Sequence, residues 1–131
     1  MKLLLDTHIW LWSVLGPKHL SKRTTKALSD PANELWVSPI STWEILMLCQ
    51  KKRLRLEGDP EKWVASVLAA VPFKEAPLTH EVAIASASIG VAHADPADRF
   101  LAASARVYGL TLVTSDENLL NGHGYKVLPN R

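Results

Sequence analysis

The sequence has little cysteine and no long apolar run, and these absences exclude disulfide-stabilised and membrane-spanning proteins. It contains one cysteine, Cys49, which excludes an internal disulfide and favours a reducing compartment. No apolar run approaches the ~20 residues needed to cross a bilayer. The apolar residues 3–5 are interrupted at Asp6 and His8, too early for a signal peptide. We therefore expect a cytoplasmic protein that does not associate with membranes, with Cys49 a buried and unreactive thiol.

The sequence also lacks the motifs of several catalytic chemistries. The five histidines form no His-x-x-x-His pair and no Cys/His spacing typical of zinc. No glycine-rich phosphate loop is present, because residues 122–124 (GHG) are too few and are typical of a turn. A nucleophile-elbow motif is absent, which disfavours Ser/His/Asp hydrolysis. With these motifs absent, catalysis by carboxylate side chains is the chemistry that the sequence still allows.

Length and composition indicate one globular domain. The chain has 131 residues, the size of a typical domain, and we predict a single domain over residues 1–131. Hydrophobic residues make up 47% and charged residues 21%, which are ordinary values for a folded protein. The net charge of +2 permits a nucleic-acid partner without demanding one.

Short apolar segments alternate with amphipathic segments along the chain. The clearest predicted helix begins after Asp95 and ends at Gly109. Strands that alternate with helices indicate βαβ units, so we predict the α/β class, as a three-layer α/β/α sandwich with a central, mainly parallel sheet. The predicted strands are residues 3–5, 35–37, 73–78, 110–113 and 125–128.

Acidic residues recur where predicted strands end and helices begin. Asp6 ends the first strand, and Asp116 follows the fourth. Glu44 lies in the first turn of the helix after the second strand. Because ligands bind beyond the carboxyl ends of parallel strands, we expect these three acids at one edge of the sheet. Asp95 and Asp98 open the helix before the fourth strand, and connectivity alone leaves their edge undecided.

Each acid also has a purely structural explanation as a helix cap. Ser41 and Glu44 have the spacing of a capping box. Asp95 precedes a proline at the first helical position, which suits an N-cap. However, carboxylates gathered at one edge repel each other and raise one another's pKa. Mg²⁺ or Mn²⁺ relieves this repulsion and can activate water against a phosphate, so the pattern predicts a metal-dependent site.

Four segments resemble the PIN-domain family in their order and spacing, and the similarity spans nearly the whole chain. The resemblance is greatest to the VapC-type toxins of bacterial and archaeal type II toxin–antitoxin systems. The segments are residues 3–8 (LLLDTH), 41–45 (STWEI), 95–103 (DPADRFLAA) and 112–116 (LVTSD).

This resemblance implies the PIN fold and an Mg²⁺- or Mn²⁺-dependent endoribonuclease. It also implies an RNA substrate, a homodimer and a small antitoxin encoded alongside. The doubled acid of Asp95 and Asp98 leaves the division of roles between these two residues open. The residues that match the catalytic and metal-binding acids are Asp6, Glu44, Asp98 and Asp116, with Asp95, Thr114 and Arg99 as supporting residues.

A basic segment follows the Glu44 helix and consists of Lys51, Lys52, Arg53 and Arg55. We predict that it contacts RNA phosphates, and the alternative is an ordinary solvated surface.

Five tryptophans are many for this length. Trp10 and Trp12 are two positions apart on a predicted helix and cannot both face one core. One of them is predicted to be exposed at a dimer or antitoxin interface, which we favour over base stacking. Trp36, Trp43 and Trp63 are predicted core residues.

Two other functions are compatible with a similar sheet. A phosphoaspartyl hydrolase usually has a second aspartate two positions after the first, where this chain has His8. A receiver domain needs a lysine after a late strand, and none follows Val113. A catalytically silent PIN module that only binds RNA or protein is disfavoured by the intact acids, and a nuclease assay with metal distinguishes it.

Overall fold

Strands and helices alternate along the computed structural model, which describes residues 1–91 and 95–131. The strands are β1 (Lys2–Leu5), β2 (Glu34–Val37), β3 (Lys74–Glu75), β4 (Thr111–Thr114) and β5 (Lys126–Pro129). The helices are α1 (Thr7–Leu15), α2 (Lys22–Ser29), α3 (Pro39–Gln50), α4 (Pro60–Ala70), α5 (His80–Ser88), α6 (Pro96–Tyr108) and α7 (Glu117–Leu120), with a 3₁₀ turn at Pro17–His19.

The five strands form one parallel sheet in the order β3-β2-β1-β4-β5. The chain first moves outward from β1 through β2 to β3, and then crosses to the other side of β1 to form β4 and β5. The strand order therefore reverses between β1 and β4. In open α/β sheets the crevice at such a switch point is where ligands bind.

Alternate residues of the central strands pack into two cores on opposite faces of the sheet. Leu3 and Leu5 of β1 contact the core that contains Ile9 of α1 and Ile45 of α3. Leu4 points to the other face, where Leu101 of α6 is fully buried. This period of two arises because successive strand side chains point to opposite faces. The α/β/α sandwich with a parallel sheet is confirmed.

The local sequence of α6 fixes which edge of the sheet its first turn occupies. Asp95 caps the helix and Pro96 follows, while Gly109 ends it in the left-handed conformation at φ 64°. Leu110 follows at once and leads into β4. Because α6 runs back along the sheet before β4 begins, its N-terminus lies at the carboxyl edge of the strands. Asp95 and Asp98 therefore lie at the same edge as Asp6.

The third strand is shorter than the predicted residues 73–78, since only Lys74–Glu75 is a strand. Ala76 still donates a backbone hydrogen bond to Val37. Pro77 has no N–H to continue the ladder, so the pairing ends there.

The prediction that Trp43 belongs to the core is wrong. Its side chain is 53% exposed. Ile45 of the same helix is fully buried, and a separation of two residues turns the helix by roughly 200°. Trp36 and Trp63 are half-buried and pack against the two cores. Trp10 is buried, and Trp12 is half-buried.

None of the helices in the described ranges is both long enough and apolar enough to span a membrane.

Candidate active site

An open cleft of about 390 Å³ lies at the switch point of the sheet. It brings together all five acids that the sequence singled out, from four different parts of the chain. Its lining residues are Asp6, Glu44, Asp95, Asp98 and Asp116, with His8, Trp12 and Ser115. Within residues 1–91 and 95–131, none of these carboxylates forms an ion pair. The cleft therefore gathers five carboxylates that no ion pair among the described residues neutralises.

Asp6 is the most buried of the five acids, with 8% of its surface exposed. Its backbone N–H continues the β1–β4 ladder by donating to Val113. Its Oδ1 accepts a 2.7 Å hydrogen bond from the backbone N–H of Thr7 at the start of α1. Its Oδ2 accepts a 2.6 Å hydrogen bond from the hydroxyl of Thr114. These contacts fix the carboxylate in one orientation at the floor of the cleft.

Thr114 links the first and last acids of the cleft. Its hydroxyl donates to Asp6 and accepts a 3.0 Å hydrogen bond from the backbone N–H of Asp116. The carboxylate of Asp116 caps α7 by accepting from the backbone N–H groups of Asn118 and Leu119. The predicted supporting position of Thr114 is thus that of a buried bridge between two acids.

Glu44 does not form the capping box that its spacing from Ser41 offered as an alternative, because α3 begins earlier than the sequence suggested. Ser38 caps the helix, and Pro39 is its first residue. Glu44 therefore lies in the second turn, and its Oε1 accepts a 2.7 Å hydrogen bond from the hydroxyl of Thr7 on α1. Ser41 is also buried, with its Oγ 2.8 Å from the same hydroxyl. Since Thr7 has one hydroxyl proton and directs it to the carboxylate, Ser41 donates to Thr7.

Thr7 was missed by sequence reasoning. It immediately follows Asp6 and lies in the segment that carries the family resemblance. This position could have identified it as a residue of the site. Its side chain is 1% exposed and joins α1 to α3 beside the cleft.

Asp95 and Asp98 occupy successive parts of the first turn of α6. The Oδ1 atom of Asp95 accepts a 2.9 Å hydrogen bond from the backbone N–H of Asp98, as an N-cap does. The side chain of Asp98 makes no hydrogen bond within residues 1–91 and 95–131 and faces the other acids of the cleft. Asp95 thus has a structural contact, whereas Asp98 is available to a ligand.

Burial and the neighbouring acids raise the pKa of three carboxyl groups in the cleft. Burial, followed by the charges of Asp95, Asp6, Asp116 and Glu44, raises the pKa of Asp98 to about 7. Burial also raises the pKa of Asp6, against the opposing effect of the Thr114 hydrogen bond. The pKa of Glu44 is raised by burial, and the hydrogen bond from Thr7 partly offsets this.

The donor set suits a hard divalent cation. Carboxylate oxygens are the ligands that Mg²⁺ and Mn²⁺ prefer, and the cleft offers five carboxylates that form no ion pair among the described residues. Among the described residues, no three acidic, histidine or cysteine side chains are grouped closely enough to enclose an ion. Mg²⁺ does not require such a cage, because it keeps several waters and is commonly bound by one or two carboxylates.

Arg99 does not line the cleft. Its guanidinium donates to the backbone carbonyls of Ser86, Ile89 and Val91. The residue predicted to support the site therefore anchors the end of α5 and the segment after it to α6.

The predicted basic segment lies beyond the end of α3, and one of its four residues lies beside the acidic cleft while the other three do not. Arg53 lines a second cavity, which adjoins the acidic cleft through the shared side chains of His8 and Trp12. Lys51, Lys52 and Arg55 are exposed and line neither cavity. Arg53 is thus the member of the segment that lies closest to the path into the cleft.

Comparison with known proteins gives concordant results. The model of the PIN domain family matches residues 3–122. Ribonuclease VapC22 of Mycobacterium tuberculosis is 32% identical over 117 residues, which cover 88% of each chain. The fold is similar to that in a crystal structure of VapBC2 from Rickettsia felis bound to a DNA fragment from its promoter, with a TM-score of 0.72, 14% identity and coverage of 98% of each chain. A DNA-bound VapBC structure from Salmonella typhimurium gives a TM-score of 0.70, 20% identity and the same coverage of 98% of each chain.

Proposed function

The chain belongs to the PIN-domain family, and we propose that it is a metal-dependent endoribonuclease that acts as the toxin of a toxin–antitoxin pair. One observation carries the nuclease proposal: five carboxylates line one cleft at the switch point, and none of them has an ion-pair partner in the described ranges. Repulsion between these carboxylates does not stabilise the fold. A site that binds a cation and hydrolyses a phosphodiester, in contrast, requires the carboxylates that cause it.

RNA is the proposed substrate because the relative with 32% identity is a ribonuclease. The cleft is open to solvent, with a volume of about 390 Å³, so a strand can lie across it. The adjoining Arg53 is positioned to contact a phosphate of that strand.

The cofactor is proposed to be Mg²⁺ or Mn²⁺, which Asp6, Glu44, Asp98 and Asp116 would hold partly through direct contacts and partly through waters that the ion retains. When bound, the ion supplies an activated water and neutralises charge on the scissile phosphate. Asp6 contributes a carboxylate that Thr7 and Thr114 have already oriented. Glu44 is oriented in the same way by the hydroxyl of Thr7. This preorganisation reduces the rearrangement needed when the substrate arrives.

The biological part of the proposal follows from the relatives. Structures with this fold include VapBC complexes and a toxin–antitoxin complex from Klebsiella pneumoniae. We extend the proposal to a small antitoxin partner encoded beside this chain, to a homodimer and to a cytoplasmic site of action. Light scattering of the purified protein tests the homodimer directly.

Controlled expression in a bacterial host tests the toxin function. Induction of the wild-type chain without a partner should arrest growth, and co-expression of the adjacent small reading frame should restore it. The Asp6→Asn variant should be harmless at an equal level of folded protein, since it removes the charge that the cation needs and keeps the side-chain shape. Unimpaired growth with a wild-type protein that cleaves RNA in vitro would reject the toxin role and leave the nuclease intact.

A further inference from the structure

Three aromatic rings form a continuous row beside the acidic cleft. His8 and Trp12 are four residues apart on one face of α1, with ring centroids 5.8 Å apart. His19, in the 3₁₀ turn that follows α1, lies 5.2 Å from the ring of Trp12. The two histidines are exposed and Trp12 is half-buried, so the row presents ring surface to solvent.

The aromatic row leads from the acidic cleft into the second cavity. His8 and Trp12 line both spaces, whereas His19 lines only the second one. This second cavity has a volume of about 590 Å³, and its other walls are formed by Arg53, by apolar residues of α1 and α3, and by Gly16 and Leu54. A strand that leaves the acidic cleft on this side therefore passes the rings before it reaches Arg53.

The side chain of Asn130 connects the aromatic row to Ser115, which lines the acidic cleft. Asn130 uses its amide nitrogen to donate to the backbone carbonyl of His19 and to Oγ of Ser115, which lines the cleft. Its Oδ1 accepts a 2.7 Å hydrogen bond from the backbone N–H of Ser21, which fixes the orientation of the amide. The position of His19 is thereby coupled to that of the acidic cleft.

Gly16 allows the ring of His19 to fold back toward α1. A Cβ at position 16 would lie 3.0 Å from Cδ2 of His19, closer than side chains normally approach. A side chain at position 16 would require the exposed ring of His19 to shift by a few tenths of an ångström, so glycine at the end of α1 favours the observed row.

We propose that the row of His8, Trp12 and His19 is a stacking platform for bases of single-stranded RNA, with Arg53 contacting the phosphate backbone beyond it. This inference rests on the ribonuclease proposal for the adjoining cleft. Aromatic rings bind bases of any sequence through their faces, and Arg supplies the cation that tracks the backbone. The acidic cleft itself repels phosphates, so a substrate strand needs attractive contacts next to it. The direct continuity between the row and the cleft favours RNA over a protein partner as its occupant.

The test measures RNA binding separately from cleavage. A fluorescein-labelled single-stranded RNA of about a dozen nucleotides is titrated with protein in EDTA, and anisotropy gives its Kd. Trp12→Ala should raise the Kd by roughly five- to a hundredfold, the range for loss of one stacking side chain. Trp12→Phe should raise it less, because a ring remains. Trp43→Ala, which removes an exposed tryptophan outside both cavities, should leave the Kd within about twofold of the wild-type value.

A second arm identifies the partner of the ring as a base. RNAs that each carry one abasic nucleotide should include a position that weakens binding to the wild-type protein but not to Trp12→Ala. An abasic penalty that is the same in both proteins at every position would overturn the proposal. His19→Ala removes an exposed ring outside both cores, so it tests the row even if Trp12→Ala fails to fold.

Unchanged RNA affinity in folded Trp12→Ala and His19→Ala would also overturn the proposal. A protein partner would then be the expected occupant of the aromatic row. These results are distinct from failure of the nuclease proposal. Binding in EDTA does not require cleavage, and cleavage at saturating RNA does not require the platform.

Discussion

The hydroxyl of Thr7 donates a 2.7 Å hydrogen bond to Oε1 of Glu44, and this contact joins the first turn of α1 to the second turn of α3. Asp6 precedes Thr7 and accepts a hydrogen bond from its backbone N–H. One residue therefore orients two carboxylates of the cleft, through its backbone and its side chain. Asp6, Glu44 and Asp116 are thus linked through Thr7 and Thr114. The side chain of Asp98, in contrast, has no hydrogen-bond partner among the described residues.

Replacement of Thr7 by valine should impair the site while preserving its shape. The hydrogen bond from Thr7 lowers the pKa of Glu44 against the effect of burial, so its loss should raise that pKa further. The acid limb of the pH–rate profile for RNA cleavage should then move to higher pH. The lost buried hydrogen bond should also reduce the free energy of unfolding by about 1–3 kcal/mol. Thr7→Ser keeps the hydroxyl and should restore the wild-type profile, and an unshifted profile in Thr7→Val would contradict the role of this contact.

The metal-free protein should become less stable as the pH rises toward neutrality. An unfolded chain releases the Asp98 proton near pH 3.9, whereas the pKa of the folded state is raised to about 7. Between these values the folded state binds more protons, so the free energy of unfolding falls with increasing pH. Melting curves in EDTA should show a lower Tm at pH 7.5 than at pH 5.5. Asp98→Asn should flatten this dependence, and an equal slope in the variant would assign the effect to other groups.

A divalent cation should offset the loss of stability that the metal-free protein shows as the pH rises. Binding to the folded state alone stabilises it by mass action, by about 2.7 kcal/mol at a hundredfold excess over Kd. The carboxylates must be deprotonated to bind the ion, so the gain in Tm with millimolar Mn²⁺ should be larger at pH 7.5 than at pH 5.5. Absence of a shift with either Mn²⁺ or Mg²⁺ would count against a metal site in the cleft.

Asp98 and Asp95 should differ in their importance for catalysis. Asp95 caps α6, and asparagine caps a helix nearly as well, so Asp95→Asn should retain stability and much of the activity. Asp95→Ala should lower the free energy of unfolding by about 1 kcal/mol as a lost cap. Asp98→Asn should remove most cleavage and leave the fold intact. Equal inactivation by Asp95→Asn and Asp98→Asn would mean that both carboxylates serve the metal.

The sequence predicted the sheet and its acidic edge well because both depend on local patterns. A short apolar run followed by Asp6, and a hydroxyl residue two positions before Asp116, mark the ends of adjacent strands. The edge on which Asp98 lies depends on the direction of α6 relative to β4, which is evident only in the folded structure.

Errors arose where a local motif competed with tertiary contacts. The spacing of Ser41 and Glu44 satisfies the capping-box pattern, but Pro39 starts the helix earlier and Thr7, distant in sequence, takes both side chains as partners. Trp43 was assigned to the core from its residue type, whereas the helical phase set by Ile45 turns it outward. Arg99 was assigned to the site from its position in a motif, and its contacts with three carbonyls were not predictable from sequence.

The most direct test of the account is cleavage of a single-stranded RNA by the purified chain, with the cation added and removed. We predict cleavage with millimolar Mg²⁺ or Mn²⁺, none in EDTA, and recovery when the ion is restored. Asp6→Asn should be inactive, with a melting curve and circular dichroism that show a folded protein. Asp59→Asn replaces the aspartate that caps α4, outside the cleft, and should cleave like the wild type. Cleavage that continues in EDTA, or that survives Asp6→Asn, would contradict a metal-dependent site built on these acids.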